Sequence, residues 1–158
     1  MKKEITIRKA TTKDVPAIVE LWKELMDYHK KLDPLFTRSP AGHKRFAEFL
    51  TNHINNADSR VLIALHRTRP VGYCMATISK YPPVFEKQQY GELSDMAVTK
   101  KYRRRGIGKE LIKAVRKWYA KKSINRIEAR YSTANEVAAG FWAGAGFNPY
   151  LKTTFLET

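Results

Sequence analysis

The sequence predicts an α/β fold, a mixed sheet of six to seven strands carrying about four helices. Three features point there. Short runs of alternating apolar residues are interleaved with segments that repeat at helical spacing. These segments follow the order β-α-α-β-β-β-α-β-α-β, with one or two strands at the end. The chain has 158 residues, 43% of them apolar, which suits one packed globule, so residues 1–158 are read as a single domain.

Glu4 to Lys9 reads as the first strand, with Ile5 and Ile7 on one face. Thr11, with Asp14 three residues on, is a helix start. Val15, Ile18, Val19, Trp22, Leu25 and Met26 then recur at helical spacing, predicting a helix to about Lys31. Pro34 and Pro40 punctuate a connection. A second helix presents Phe46, Phe49, Leu50 and His53 as its apolar face. His29 and His53 extend apolar stripes and are read as half-buried packing residues rather than ligands. Arg60 to His66 and Val71 to Lys80 form a hairpin around Arg67-Thr68-Arg69-Pro70. After a proline-bearing loop, Tyr90 to Val98 is a further strand. Gly106 to Lys122 is a helix with Ile107, Leu111, Val115, Trp118 and Tyr119 inward, and Ile124 to Tyr131 a strand. Asn135 caps a helix reaching Ala145, and Gly146 ends it. Phe147 to Leu156 supplies the closing strands.

Composition narrows the function. Thirty basic residues against fifteen acidic ones give a net charge of +15. Val98 to Arg130 alone holds thirteen basic residues against Glu110 and Glu128, a net +11. Such a field favours an anionic partner: a polyphosphate ligand, an anionic protein surface or nucleic acid held through non-specific charge. Cys74 is the only cysteine, so no internal disulfide and no cysteine-based metal site is expected; it reads as a small core residue. No metal is expected. The opening Met1-Lys2-Lys3 begins no long apolar segment, and no stretch approaches the length of a membrane span. A cytoplasmic protein is expected.

The stretch from Val98 to Lys109 carries the chemistry. It joins a strand to a helix, and it sets Gly106 and Gly108 beside Arg103, Arg104 and Arg105. Amides of a first helical turn attract anions, glycines let a ligand approach the backbone, and arginines add charged contacts. A P-loop is excluded because Glu110 follows Lys109 and Arg103 holds the first glycine position. A dinucleotide fingerprint is excluded because Leu111 holds its third glycine. What remains is Arg103-x-x-Gly106-x-Gly108.

That segment, following Glu92-Leu93-Ser94-Asp95-Met96-Ala97-Val98, resembles the acetyl-CoA pyrophosphate loop of the GNAT superfamily of N-acetyltransferases. A second block, Asn135-x-x-Ala138-x-x-Phe141-Trp142-x-x-x-Gly146-Phe147, is similar to another of that family's motifs. The opening Ile7-Arg8-Lys9-Ala10-Thr11-x-x-Asp14 also fits. The resemblance spans about Ile5 to Tyr150 and is weakest from Asp27 to Ser59. It implies the GNAT fold, with a twisted, mostly antiparallel sheet. It implies acetyl transfer from acetyl-CoA to a primary amine, by direct attack in a ternary complex. Met96, Ala97 and Val98 are implied to line the pantetheine arm, with the Val98 amide as oxyanion donor. Arg103, Arg104, Arg105, Gly106, Ile107, Gly108 and Lys109 are implied to cradle the pyrophosphate. Asn135 is implied to face the cofactor as well as cap its helix. The resemblance also implies a homodimer, for which no residue pattern speaks.

An ammonium acceptor of pKa about 10.4 must lose a proton before it attacks. Glu92 is the first candidate base and Asp95 the second; strand alternation sets them on opposite faces. A water chain is a third route. The family often places a tyrosine acid where this chain has Trp142, whose indole is no proton donor; Tyr131, Tyr150 or water would substitute, or no acid is needed. Asp27, Asp33, Glu86 and Glu92 are candidates to hold the amine, and Tyr28, Phe36, Tyr81 and Phe85 to wall its pocket. Two rival readings stand beside this one. The first is a basic nucleic-acid-binding module, and the second a silent acyl-CoA sensor.

Overall fold

The computed structural model describes residues 4–158; the opening Met1-Lys2-Lys3 lies outside the described residues. The elements are β1 (Ile5–Lys9), α1 (Val15–Leu32), α2 (Gly42–Ile54), β2 (Ser59–His66), β3 (Arg69–Lys80), β4 (Gln89–Val98), α3 (Ile107–Lys121), β5 (Ile127–Ala129) and α4 (Glu136–Gly144). They form one five-stranded sheet in the order β1-β2-β3-β4-β5. The first three pairings are antiparallel, and β4 with β5 is parallel. Among the described residues no helix is long and apolar enough to cross a membrane.

Alternation along β2 and β3 divides the core into two layers. Leu62, Ala64, Cys74 and Ala76 face one side and pack with Leu111, Val115 and Tyr119 of α3 and Trp142 of α4. Val61, Ile63, Tyr73 and Met75 face the other and pack with Ile18 and Leu21 of α1 and Phe46 and Leu50 of α2. Each fully buried Leu or Ile contributes about 1.5–3 kcal/mol by leaving water. Cys74 is buried and unpaired in this core, where burial lifts its thiol far above the ordinary range. It is packing, as its apolar run predicts.

At the first helix start, Asp14 accepts from the Thr11 amide at 2.8 Å and pairs with both terminal nitrogens of Arg8. This holds the Asp14 carboxyl at about 2, through Arg8 first. Gly91 permits another close fit: a Cβ there would lie 2.5 Å from the Tyr119 ring. Its absence lets Tyr119 reach across the sheet and donate to the carbonyls of Thr77 and Glu92.

Three expectations need correction. Phe49 is 47% exposed; α2 buries Phe46, Leu50 and Ile54, and Phe49 sits outside that stripe against His53. The strand expected from Ile124 to Tyr131 shrinks to Ile127–Ala129, because β4 pairs with it only over Gly91–Leu93. The closing strands do not form, so the sheet has five strands rather than six or seven. Phe147 packs edge-on to Trp142 instead. Tyr150 is held at Glu128, while Leu151, Phe155 and Leu156 stay exposed.

Candidate functional site

β4 ends at Val98, a single 3₁₀ turn spans Lys100–Tyr102, and α3 starts at Ile107. Between them the backbone turns left-handed twice, at Arg104 (φ 59°) and Gly106 (φ 82°). A non-glycine residue in that region stores about 1–2 kcal/mol. Such turns gather successive amides into a concavity suited to an anion. The amides from Arg104 to Lys109 donate to no protein acceptor among the described residues. The first helical amide that does is that of Glu110, to the Gly106 carbonyl at 3.1 Å. A Cβ at Gly106 would meet nothing within 4 Å, so the space before those amides is open. Arg104, Arg105 and Lys109 are exposed around it, and Ile107 anchors the turn in the core.

Gly108 also meets a neighbouring helix: a Cβ there would lie 2.8 Å from the Phe141 ring of α4. The Arg103 side chain is engaged within the protein. Its Nε donates to the Val98 carbonyl at 2.9 Å, and its guanidinium lies 5.9 Å from the centre of the Tyr28 ring. It braces the loop against β4. Glu24 of α1 completes the brace, accepting from Thr99 Oγ1 and from the Lys100 amide at 2.9 Å each, with Arg103 at 3.7 Å. Sequence reading missed Glu24, whose only local signal is that it shares a helix face with Leu21 and Tyr28.

Beside this loop, β4 is bulged. Leu93 pairs with Ala76 and Asp95 with Met75, leaving Ser94 as an extra residue. The bulge shifts the alternation by one. Leu93 and Met96 both reach the α3 layer, while Glu92 pairs with Thr77 and Asp95 with Met75 on the α1–α2 side. Glu92 and Asp95 thus share a face, against the simple alternation rule. Beyond Leu93 β5 no longer pairs, so Asp95, Met96, Ala97 and Val98 have a sheet neighbour on one side only.

The two carboxylates differ in setting. Glu92 accepts from Ser79 Oγ at 3.0 Å. Asp95 is pushed up to about 7 by burial, against an opposing pull from the Tyr73 hydroxyl. Burial first, and then Asp95, raises Tyr73 well above the usual phenol value. Tyr73 Oη is otherwise buried without a hydrogen-bond partner of good geometry.

Asn135 is buried and caps α4, accepting from the Ala138 amide at 3.0 Å. Its same oxygen lies 3.4 Å from the Tyr28 hydroxyl, tying α4 to α1. Trp142 is a packing residue between Phe141 and Phe147. Tyr150 and Tyr81 both donate to Glu128, which also pairs with Arg126. That commits both hydroxyls outside the bulge. Tyr131 is 37% exposed. Asp27 pairs with Arg38, and Asp33 caps the turn at Leu35. His29 packs against Phe36, and His53 bonds the Phe49 carbonyl. No cluster of three metal-ligating side chains occurs among the described residues.

The profile of the Acetyltransferase (GNAT) family matches residues 18–147. Solved structures share the fold. A tetramutant of the BH1408 protein of Bacillus halodurans is 23% identical, with 97% of this chain and 99% of that one covered and a TM-score of 0.84. An aminoglycoside acetyltransferase from an uncultured soil metagenomic sample, meta-AAC0020, is 20% identical, covering 99% and 97%, at 0.73. The aminoglycoside N-acetyltransferase AAC(6')-Iy, solved with CoA, is 20% identical, covering 98% and 94%, at 0.75. No curated protein sequence matches the chain.

Proposed function

The chain belongs to the Acetyltransferase (GNAT) family and is an acetyl-CoA-dependent acyltransferase, and from this we propose that it acetylates a primary amine by direct attack within a ternary complex. The observation that carries the reading is the loop after Val98, whose six amides from Arg104 to Lys109 have no protein acceptor among the described residues. A diphosphate fits donors arranged in this way at a helix N-terminus.

In this reading the amides from Arg104 to Lys109 hold the pyrophosphate, with Arg104, Arg105 and Lys109 adding charge. Arg103 and Glu24 act by fixing the loop. The open edge from Met96 to Val98 takes the pantetheine arm, and the Val98 amide faces the thioester oxygen. Asn135 closes the channel beside Tyr28. Asp95 is the base in preference to Glu92, because a pKa of about 7 suits proton transfer at neutral pH. The amine nitrogen bonds to the thioester carbon, the C–S bond breaks, and the amine proton passes to Asp95 directly or through water. No acid is assigned, since a thiol of pKa about 8.5 leaves as thiolate.

Residues 1–158 are taken to act as one domain in a reducing cytoplasm. A homodimer belongs to the same reading, supported by the apolar side chains of Leu151, Phe155 and Leu156, which a second copy would cover.

The acceptor class is tested by incubating protein and acetyl-CoA with aminoglycosides, polyamines, amino acids and lysine peptides, with mass detection. Acetylation of one class with matching thiol release supports the reading. An acetyl-CoA-induced rise in melting temperature without thiol release across the panel would favour a sensor.

A further inference from the structure

We propose that the side of the domain formed by β1, β2 and the C-terminal half of α3 binds the phosphate backbone of a nucleic acid, independently of acetyl transfer. A recess of about 240 Å³ lies there, bordered by Lys9, Arg60, Lys117, Lys121 and the Trp118 ring. No carboxylate lines it. Arg8 also borders it but is engaged by Asp14. The other four cations make no ion pair among the described residues.

Arg60 is the built element. Its Nε is buried without a hydrogen-bond partner, and its guanidinium lies 5.6 Å from the centre of the Trp118 ring. The indole covers one face of the guanidinium and leaves the donors on its edge unused. Lys113, Lys117 and Lys121 follow at four-residue spacing on α3. Like charges so placed destabilise a helix by about 0.2–0.5 kcal/mol per pair, a cost that folding does not explain.

The length of the stripe selects the ligand. Lys113 to Lys121 spans about 12 Å along the helix at about 1.5 Å per residue. The phosphates of one strand rise about 3.4 Å each along the duplex axis while winding around it, so the three lysines meet about three of them. A single small anion would need the recess alone. None of the exposed large apolar side chains belongs to β1, β2 or α3, which disfavours a bilayer. The stripe is also distinct from the loop after Val98: Lys117 and Lys121 lie about 15–21 Å along α3 from Ile107.

The test is fluorescence polarisation of a labelled 20-mer duplex against the whole chain between 50 and 200 mM salt. Binding with a log–log salt slope near −2.7, for about three phosphates, is expected. Lys117→Ala/Lys121→Ala should make that slope shallower by about 1.8 while leaving the acetyl-CoA shift unchanged and raising the melting temperature slightly, as relief of the like-charge pairs requires. Lys30→Ala/Lys44→Ala, which removes the same charge elsewhere, should change the slope little. Equal losses in the two double variants would overturn the proposal, as would no binding at 50 mM salt. Complete competition by millimolar inorganic phosphate, equal binding of polyglutamate, or binding to phosphatidylserine vesicles but not to the duplex would each overturn it too.

Discussion

Replacing Gly106 with Asp places a carboxylate before the amides that are assigned to the diphosphate. The space is available, since a Cβ at this position meets no atom within 4 Å. The left-handed backbone, φ 82°, costs an L-residue about 1–2 kcal/mol. A negative charge at the start of α3 returns about 0.3–1 kcal/mol. The fold should therefore lose little more than 1 kcal/mol, or roughly 2–4 °C of melting temperature. Ligand binding should suffer more. Two like charges at 4 Å repel by about 1 kcal/mol in water and about 4 kcal/mol at the effective dielectric of a protein surface. A loss of about 2 kcal/mol lowers acetyl-CoA affinity roughly 30-fold. At a concentration of 100 Kd the parent protein gains about 2.7 kcal/mol from ligand; at the same concentration the variant would gain about 0.9 kcal/mol. In differential scanning fluorimetry the acetyl-CoA shift should fall from about 5–11 °C to about 2–4 °C. A variant that keeps the parent's full shift refutes the assignment of these amides.

Asp95→Asn separates the two carboxylates. With a folded pKa raised to about 7, neutral Asp95 stabilises the fold fully below about pH 4. That contribution is lost as pH rises through 7, at up to about 1.4 kcal/mol per pH unit. The variant should lack this decline in denaturant melts and be more stable than the parent above pH 7. It should also lose about 10²–10⁴-fold in kcat/KM, together with the rise in rate through pH 7. If Glu92→Gln removes that rise and Asp95→Asn does not, the roles are reversed. Gly108→Trp should unfold the α3–α4 contact rather than selectively block ligand, lowering the melting temperature even without acetyl-CoA. Gly91→Ala should destabilise by about 1–3 kcal/mol in urea titrations, because its methyl would enter the Tyr119 ring. Glu24→Ala should weaken acetyl-CoA binding several-fold by calorimetry and cost about 1–2 kcal/mol of stability, having removed the acceptor for Thr99 and Lys100.

What the sequence made legible was local. Periodicity located α1 to α4 and β1 to β4, and the two glycines and three arginines marked the turn after Val98. What it hid was each feature set by a distant partner. The role of Gly108 depends on Phe141 of another helix, and that of Arg103 on the carbonyl of Val98 and a glutamate on α1. The closing strands expected over Phe147 to Leu156 do not form, because that segment reaches the β5 edge only through the Tyr150 side chain at Glu128 and makes no backbone pairing there. The shared face of Glu92 and Asp95 is invisible to alternation along β4 alone. Only its register with β3 reveals the extra residue.

That extra residue makes Ser94 sensitive to length rather than to identity. Its side chain is exposed and makes only a long 3.4 Å hydrogen bond to the Met75 carbonyl, so most replacements there should cost little. Removing the residue altogether would turn everything on one side of it over. Either Leu93 would leave the α3 layer, or Asp95 would be driven into it and Met96 expelled. The strand therefore carries a kind of reading frame: random substitution could explore this position at little cost, while a single-codon deletion would exchange the reactive side of the sheet for the greasy one.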